Sequence, residues 1–212
     1  MNRGLVPDDF PAAQVIEQVR ERAARDGIWR KHAVAAGRAI FDPDTAQRDV
    51  FVLVGGLVKL SYLSANGTEA IKSFVVDEGI FGREEGGVDF GACAVEPSRV
   101  VRLPEQWVVR QTDASAGLRQ SYTLFVNWLR QRKAERERML LCLTAGERLL
   151  QFLEAEGDLV RRLPQGDIAR YLGMTPIAFS RLKRRLGVGA AVVGNPACFA
   201  PTGAKRGKSP GI

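Results

Sequence analysis

Residues that bind transition metals are scarce in this sequence. Among 212 residues there are three cysteines and one histidine, and Cys93, Cys142 and Cys198 lie far apart. Zinc and iron–sulfur sites need clustered cysteine or histidine ligands, so the sequence predicts no metal site and shows no evident cofactor. We expect Cys142 to be a buried small apolar residue rather than a redox switch.

Long apolar runs and catalytic motifs are lacking as well. No run approaches the roughly 20 apolar residues that span a bilayer. The amino-terminal segment carries acids where a secretory signal peptide has an apolar core. We therefore expect a cytoplasmic protein without a membrane partner. No nucleophile–base pair, phosphate-binding loop or metal cluster is visible, which argues against an enzyme.

Positive charge, by contrast, is in excess. The chain has 31 Lys and Arg residues and 24 Asp and Glu residues, which gives a formal net charge of +7. Such a balance favours an anionic partner, either nucleic acid or a membrane surface. From Arg161 to Arg185 there are seven basic residues and one acid, Asp167.

Most of that basic segment falls in Leu163–Leu186, which divides into two short helical patterns. Gly173 ends the first pattern, because glycine enters the left-handed region without steric cost. Thr175 then caps a second helix and Pro176 fits its first position. We expect the second helix to bury Phe179, Leu182 and Leu186. Two short helices around a glycine turn predict a helix-turn-helix; the alternative is a basic helical hairpin whose charges are merely solvated.

This segment resembles the DNA-binding helices of the Crp/Fnr family of bacterial transcription regulators. The matching pairs are Ile168-Ala169, Leu172-Gly173, Thr175-Pro176 and Ser180-Arg181, in the family's order and spacing. More weakly, the resemblance extends over about residues 30 to 186. It implies a homodimer that binds double-stranded DNA, acts on RNA polymerase and responds to a small-molecule effector.

Carried onto this sequence, the resemblance indicates a set of DNA-binding residues. They are Thr175, Pro176, Ile177, Ser180, Arg181, Lys183, Arg184 and Arg185. Arg181 is the candidate for a bidentate contact with guanine. Ile177 stands where many relatives carry a glutamate, and an isoleucine could pack only on a thymine methyl. The later basic residues are expected to contact phosphates.

Short β-rich runs between turn residues follow one another from about residue 33. The runs are Val50–Val54, Leu57–Leu63, Ala70–Val76, Arg99–Leu103 and Trp107–Gln111. Many short strands at this spacing predict a sandwich or barrel. The region resembles the family's cyclic-nucleotide-binding β-roll, a jelly roll, in which Gly56 fits the turn glycine.

The effector pocket that this resemblance implies departs from the family pattern. Gly79 and Gly82 fit the glycines that open the phosphate-binding cassette, but Arg83 replaces the ribose-binding glutamate. Ala92 and Cys93 lie where an arginine binds the cyclic phosphate. We therefore expect no binding of cyclic AMP in the usual way, although Arg83 could supply the charge from another direction. The effector itself is unknown.

A long helical pattern covers residues 114–143, with an apolar stripe at helical spacing. The stripe includes Leu118, Tyr122, Phe125, Leu129 and Met139. A helix of about 30 residues spans roughly 45 Å, and in the family it pairs two subunits as a coiled coil. The alternative is a monomeric core helix with a solvated, charged middle from Arg130 to Arg138.

The sequence thus predicts an α+β chain with five parts. They are an N-terminal helical segment (1–32), the β-roll (33–113), the dimerisation helix (114–143), the helix-turn-helix domain (144–188) and an irregular basic tail (189–212). Thr144 and Glu147 predict a capping box at the start of the fourth part. The tail stands where the family has a β-hairpin wing, so the wing is expected to be degenerate or missing. The function indicated is sequence-specific regulation of transcription; the alternative is a small-molecule sensor or interaction module with an impaired DNA-binding domain.

Overall fold

The computed structural model describes residues 12–45, 48–83, 87–156 and 159–188, and it confirms the α+β class. The strands in this part are β1 (Lys31–Val34), β2 (Ala39–Phe41), β3 (Asp49–Leu53), β4 (Leu57–Leu63), β5 (Glu69–Val76), β6 (Gly79–Gly82), β7 (Gly91–Ala94) and β8 (Ser98–Pro104). The helices are α1 (Ala12–Arg25), α2 (Glu105–Ala114), α3 (Ala116–Cys142), α4 (Ala145–Ala155), a 3₁₀ turn (Leu159–Arg161), α5 (Gln165–Tyr171) and α6 (Pro176–Arg185). The expected basic tail and altered wing lie outside the described residues.

The strands form the predicted β-roll from two four-stranded antiparallel sheets. Their strand orders are β1-β8-β3-β6 and β2-β7-β4-β5. Phenylalanine rings fill the space between the sheets: Phe51 stacks with Phe41 and Phe81 at centroid distances of 5.2 and 5.5 Å, and Phe90 meets Phe41 edge-on at 5.6 Å. Both sheets therefore share one aromatic core.

Alternation along β3 builds a second core on the outside of the roll. Phe51 and Leu53 point into the roll, whereas Val52 faces the opposite side, as the two-residue period of a strand requires. There Val52 packs against α1, whose buried stripe includes Val15 and Val19. The helix thus covers a sheet face that would otherwise expose apolar side chains.

The predicted strand Trp107–Gln111 is wrong, because these residues belong to helix α2. β8 pairs with β3 as far as Pro104, and a proline next to Glu105 suits a helix start better than a continued strand. Trp107 is buried, and its indole N–H donates to Asp26 at 2.8 Å. Tertiary packing therefore overrides the β-rich composition of the Trp-Val-Val run.

Helix α3 is the predicted long helix, and it spans 27 residues. Leu118 and Phe125 are buried against α1, and Leu129 packs beside them. Cys142 is exposed, so the expectation that it is buried is wrong. It belongs to the last turn of α3, where Leu141 is also exposed, because no element among the described residues covers that side of the helix end.

Helices α4, α5 and α6 pack into a C-terminal helical domain. The predicted capping box is confirmed: Thr144 accepts from the backbone N–H of Glu147, whose carboxylate accepts from the backbone N–H of Thr144. Phe179 and Leu182 are buried as expected. Leu186 is 39% exposed, which contradicts its predicted burial. It lies beyond the end of α6 at Arg185 and therefore leaves the apolar face of the helix.

Candidate functional site

The helix-turn-helix is built by the local chemistry of its turn. Gly173, between α5 and α6, has φ of +69°, a conformation that other residues rarely adopt. The Thr175 hydroxyl accepts from the backbone N–H of Ala178 at 3.2 Å, and Pro176 occupies the first turn of α6. These contacts fix the start of α6 relative to α5.

Helix α6 presents a polar and basic face to solvent. Ile177 is 67% exposed, and Ser180, Arg181 and Arg184 are exposed on the same side of the helix. The three- and four-residue spacing of these positions places them on one face. The structure thus brings together the side chains that the sequence predicts to read DNA. Lys183 lies at the flank, with its ammonium 5.9 Å from the Phe179 ring centroid.

Replacing Gly173 by alanine is expected to lower the free energy of unfolding by about 1 kcal/mol, because the left-handed conformation is strained for any residue with a Cβ atom. The added Cβ would also lie 3.1 Å from Leu140 Cδ2. Gly146→Ala is the matched control, since Gly146 lies in α4 with no atom within 4 Å of the added Cβ. Urea unfolding should show that the control is neutral or stabilising; equal losses would contradict the role given to the turn.

The glycines of the candidate effector pocket serve strand packing. Gly79 and Gly82 lie in β6, opposite Leu53 and Val50 of β3. A Cβ at Gly82 would lie 2.8 Å from the carbonyl oxygen of Asp49. Close strand approach therefore accounts for this glycine without a ligand.

Arg83, Ala92 and Cys93 do not form a common polar site. Arg83 donates to the carbonyl of Thr45 and pairs with Asp89, so it joins two loops of the roll. Ala92 and Cys93 are fully buried in β7. Ala92 belongs to the phenylalanine core, and the interior of the roll is thus apolar where the cyclic phosphate of a nucleotide would need charge compensation.

A cleft of about 730 Å³ lies between the roll and α3. Gly79, Gly82 and Arg83 contribute to its lining, together with Tyr122 and Trp128 of α3. Lys72, also in the lining, holds its ammonium 3.4 Å from the Phe90 ring centroid. The cleft is therefore mainly apolar and aromatic with cationic groups at its walls, a composition common to small-molecule sites.

Solved structures share this architecture. FixK2 from Bradyrhizobium japonicum matches with a TM-score of 0.67 and 21% identity, over 77% of this chain and 90% of its own. A mutant of CooA from Carboxydothermus hydrogenoformans matches with 0.65 and 16%, over 81% and 84%. The c-di-GMP-responsive global regulator CLP from Xanthomonas campestris matches with 0.66 and 12%, over 82% and 91%.

These regulators combine a cyclic-nucleotide-binding type of β-roll with a helix-turn-helix domain. The chain has the Crp/Fnr fold. Because these sequence identities are 21% or lower, the similarity shows the fold alone. No family model and no curated protein matches the sequence.

Within this Crp/Fnr fold, sequence reasoning missed a buried ion pair between the roll and the C-terminal helical domain. Lys59 of β4 is 1% exposed, and its Nζ lies 3.2 Å from Asp167 Oδ1 of α5 and 3.1 Å from Glu69 Oε1 of β5. Burial raises the pKa of Asp167, an effect that Lys59 opposes. Two signals were available: a lysine inside the apolar run of β4, and the single acid in a basic segment.

Sequence reasoning also missed Arg136 of α3, which links the roll to the C-terminal helical domain. Its guanidinium donates to the backbone carbonyls of Ile71 in β5 and Tyr171 in α5, at 2.7 and 3.0 Å. It also lies 4.5 Å from the Tyr171 ring centroid. The charged middle of α3 is therefore partly used in packing.

No helix in the described ranges is long and apolar enough to cross a bilayer.

Proposed function

We propose that this chain is a sequence-specific, DNA-binding transcription regulator of the Crp/Fnr type. The observation that carries the proposal is the exposed face of α6, where Ile177, Ser180 and Arg181 project together from a helix whose start is fixed by Thr175. In helix-turn-helix proteins the second helix enters the major groove by its N-terminal residues. This function requires no catalysis. It implies a cytoplasmic location, where DNA and RNA polymerase are found.

A homodimer built on α3 is part of the proposal. Leu118 and Phe125 are buried within one chain, and Met139 packs against the core of the DNA-binding domain. Apolar surface nonetheless remains on the helix, because Leu124, on the side away from the roll, is 53% exposed. A second copy of the same helix would cover this side chain, and two recognition helices would then face the same DNA.

Selection of genomic DNA fragments in moderate salt, followed by sequencing, tests the function. We expect a palindrome whose half-sites lie one helical turn, about 34 Å, apart. Recovery of unrelated fragments with a steep loss of binding at higher salt would instead mean that the basic surface binds phosphates without reading bases. That outcome would contradict a sequence-specific regulator.

We further propose that the effector is not cyclic AMP bound in the family's usual way. Arg83 is engaged by Thr45 and Asp89, and Phe41, Phe51 and others fill the interior of the roll. Calorimetry should therefore detect no micromolar binding of cyclic AMP or cyclic GMP, with 5′-AMP as the control for unspecific nucleotide binding. Micromolar binding of either cyclic nucleotide, and not of 5′-AMP, would overturn this part of the proposal.

A further inference from the structure

The DNA-binding domain packs on the roll along a surface that we call the docking interface. Phe74 of β5 contacts Tyr171 of α5, with ring centroids 5.3 Å apart. Leu57 and Ile71 of the roll belong to the same buried cluster as Ile168 of α5. The two domains therefore share one apolar core in this state, in addition to the buried Lys59 ion pair.

A second set of ion pairs closes the rim of the docking interface. Arg162, which precedes α5, donates to both carboxylate oxygens of Asp77, at 2.7 and 2.8 Å. It also donates to the carboxylate of Glu96, at 2.7 and 3.2 Å. Asp77 and Glu96 both belong to the roll, and the fork of the guanidinium matches this bidentate geometry. Arg162 is thus held by two acids of the roll.

Two arginines in or next to the first helix of the motif, Arg162 and Arg170, are paired with acids in this state. In helix-turn-helix complexes the first helix crosses the DNA backbone, and here that helix is α5. Its Arg170 lies 3.0 Å from Asp167 and 3.9 Å from Glu69, and Asp167 itself is fully buried at the docking interface. The exposed face of α6 remains free of the roll. The docked state therefore offers the second helix of the motif to DNA while the first packs on the roll.

We propose that Asp77 and Glu96 hold Arg162, and with it the DNA-binding domain, in an autoinhibited state on the roll. This state must open before α5 and α6 can bind DNA together. The inference rests on the proposed function, since inhibition has a meaning only for a chain that binds DNA. A closed state lowers the apparent affinity by the fraction of molecules that are open.

The double variant Asp77→Asn, Glu96→Gln tests the inference. Both acids lie in the roll, so the variant leaves every basic residue of the DNA-binding domain in place. Asp77 has φ of +55°, which asparagine tolerates. The matched control is Asp42→Asn, Asp44→Asn, which removes two exposed acids from the loop between β2 and β3. Both variants raise the net charge by the same amount, so any general electrostatic gain in DNA affinity is shared.

Two measurements are made on the full chain without effector: the dissociation constant for the selected palindrome, and hydrogen exchange of peptides from β5 and α5. We expect the test variant to bind about 3- to 10-fold more tightly than the control, because the lost ion pairs are partly exposed and individually modest. Exchange at the docking interface should rise in the test variant alone.

Equal affinities of the two variants, or unchanged exchange in the test variant, would overturn the autoinhibited state. Failure of the proposed function gives a different result. In that case neither variant nor the native chain retains specific DNA, while exchange still shows whether Asp77 and Glu96 hold the domain. Faster exchange would then support the Arg162 ion pairs as a structural contact and overturn their inhibitory role.

Discussion

Replacing Lys59 by methionine is expected to lower the free energy of unfolding by about 3–5 kcal/mol, the cost of breaking a buried ion pair by removal of one partner. Methionine preserves the length and the apolar stem of the side chain. It leaves the carboxylate of Asp167, which has no exposed surface, and that of Glu69 without their shared ammonium. Urea unfolding followed by circular dichroism at neutral pH measures the change.

A double-mutant cycle separates the ion pair from simple loss of packing. Asp167→Asn in the Lys59→Met background removes a buried charge whose remaining partner, Arg170 at 3.0 Å, is itself partly exposed, so the double variant should regain much of the lost stability. Lys133→Met is the control for loss of one positive charge, because Lys133 is exposed on α3 and should change stability by less than about 0.5 kcal/mol. A double variant whose loss equals the sum of the two single losses would contradict the pairing.

The pH dependence of Lys59→Met follows from the same carboxylate. Burial raises the pKa of Asp167 in the folded chain, so the folded state binds its proton more readily than the unfolded state does. The penalty for burying the charge is therefore present above that raised pKa and is relieved as the pH falls through it. The difference in stability between Lys59→Met and the native chain should accordingly shrink on acidification. A difference that grows would mean that another group dominates.

Local chemistry explains which parts of the fold the sequence could predict. The strand Leu57–Leu63 was found at its observed bounds, because its neighbours are turn residues that end pairing on either side. The helix-turn-helix followed from Gly173 and Thr175, each of which acts within a few residues of itself. Such signals need no knowledge of what lies across the molecule.

Long-range partners explain what the sequence could not supply. The Trp107 run has the composition of a strand, and its burial as a helix rests on partners far away in the sequence: Asp26, just beyond the end of α1, and the apolar cluster that includes α1 and α3. Lys59 and Asp167 are 108 positions apart, so neither residue alone indicates the other. The exposure of Cys142 likewise depends on which elements cover the end of α3. The candidate DNA-binding face was therefore predictable, whereas the docking interface was not.

Replacing Arg181 by alanine is expected to weaken binding to the selected palindrome by about 1–3 kcal/mol, or roughly 5- to 150-fold, and to relax the sequence requirement at one position of each half-site. Arg181 is exposed in the first half of α6, on the face shared with Ile177 and Ser180. A guanidinium there can donate two hydrogen bonds to the major-groove edge of a guanine. Fluorescence anisotropy with the palindrome, with single-base variants of it and with random DNA measures the effect.

Arg184→Ala is the matched control, because it removes the same side chain from the next turn of the same exposed face. A residue in this later part of α6 is expected to contact phosphate, which carries no sequence information. Its loss should weaken binding to the palindrome and to random DNA alike. It should also reduce the slope of the logarithm of affinity against the logarithm of salt concentration by about one. Arg181→Ala should instead bring the two affinities closer together, because the lost contact is one that only the correct base can accept. If Arg181→Ala lost equal affinity for the palindrome and for random DNA, Arg181 would contact phosphates rather than bases. Base recognition would then have to come from Ser180 and Ile177.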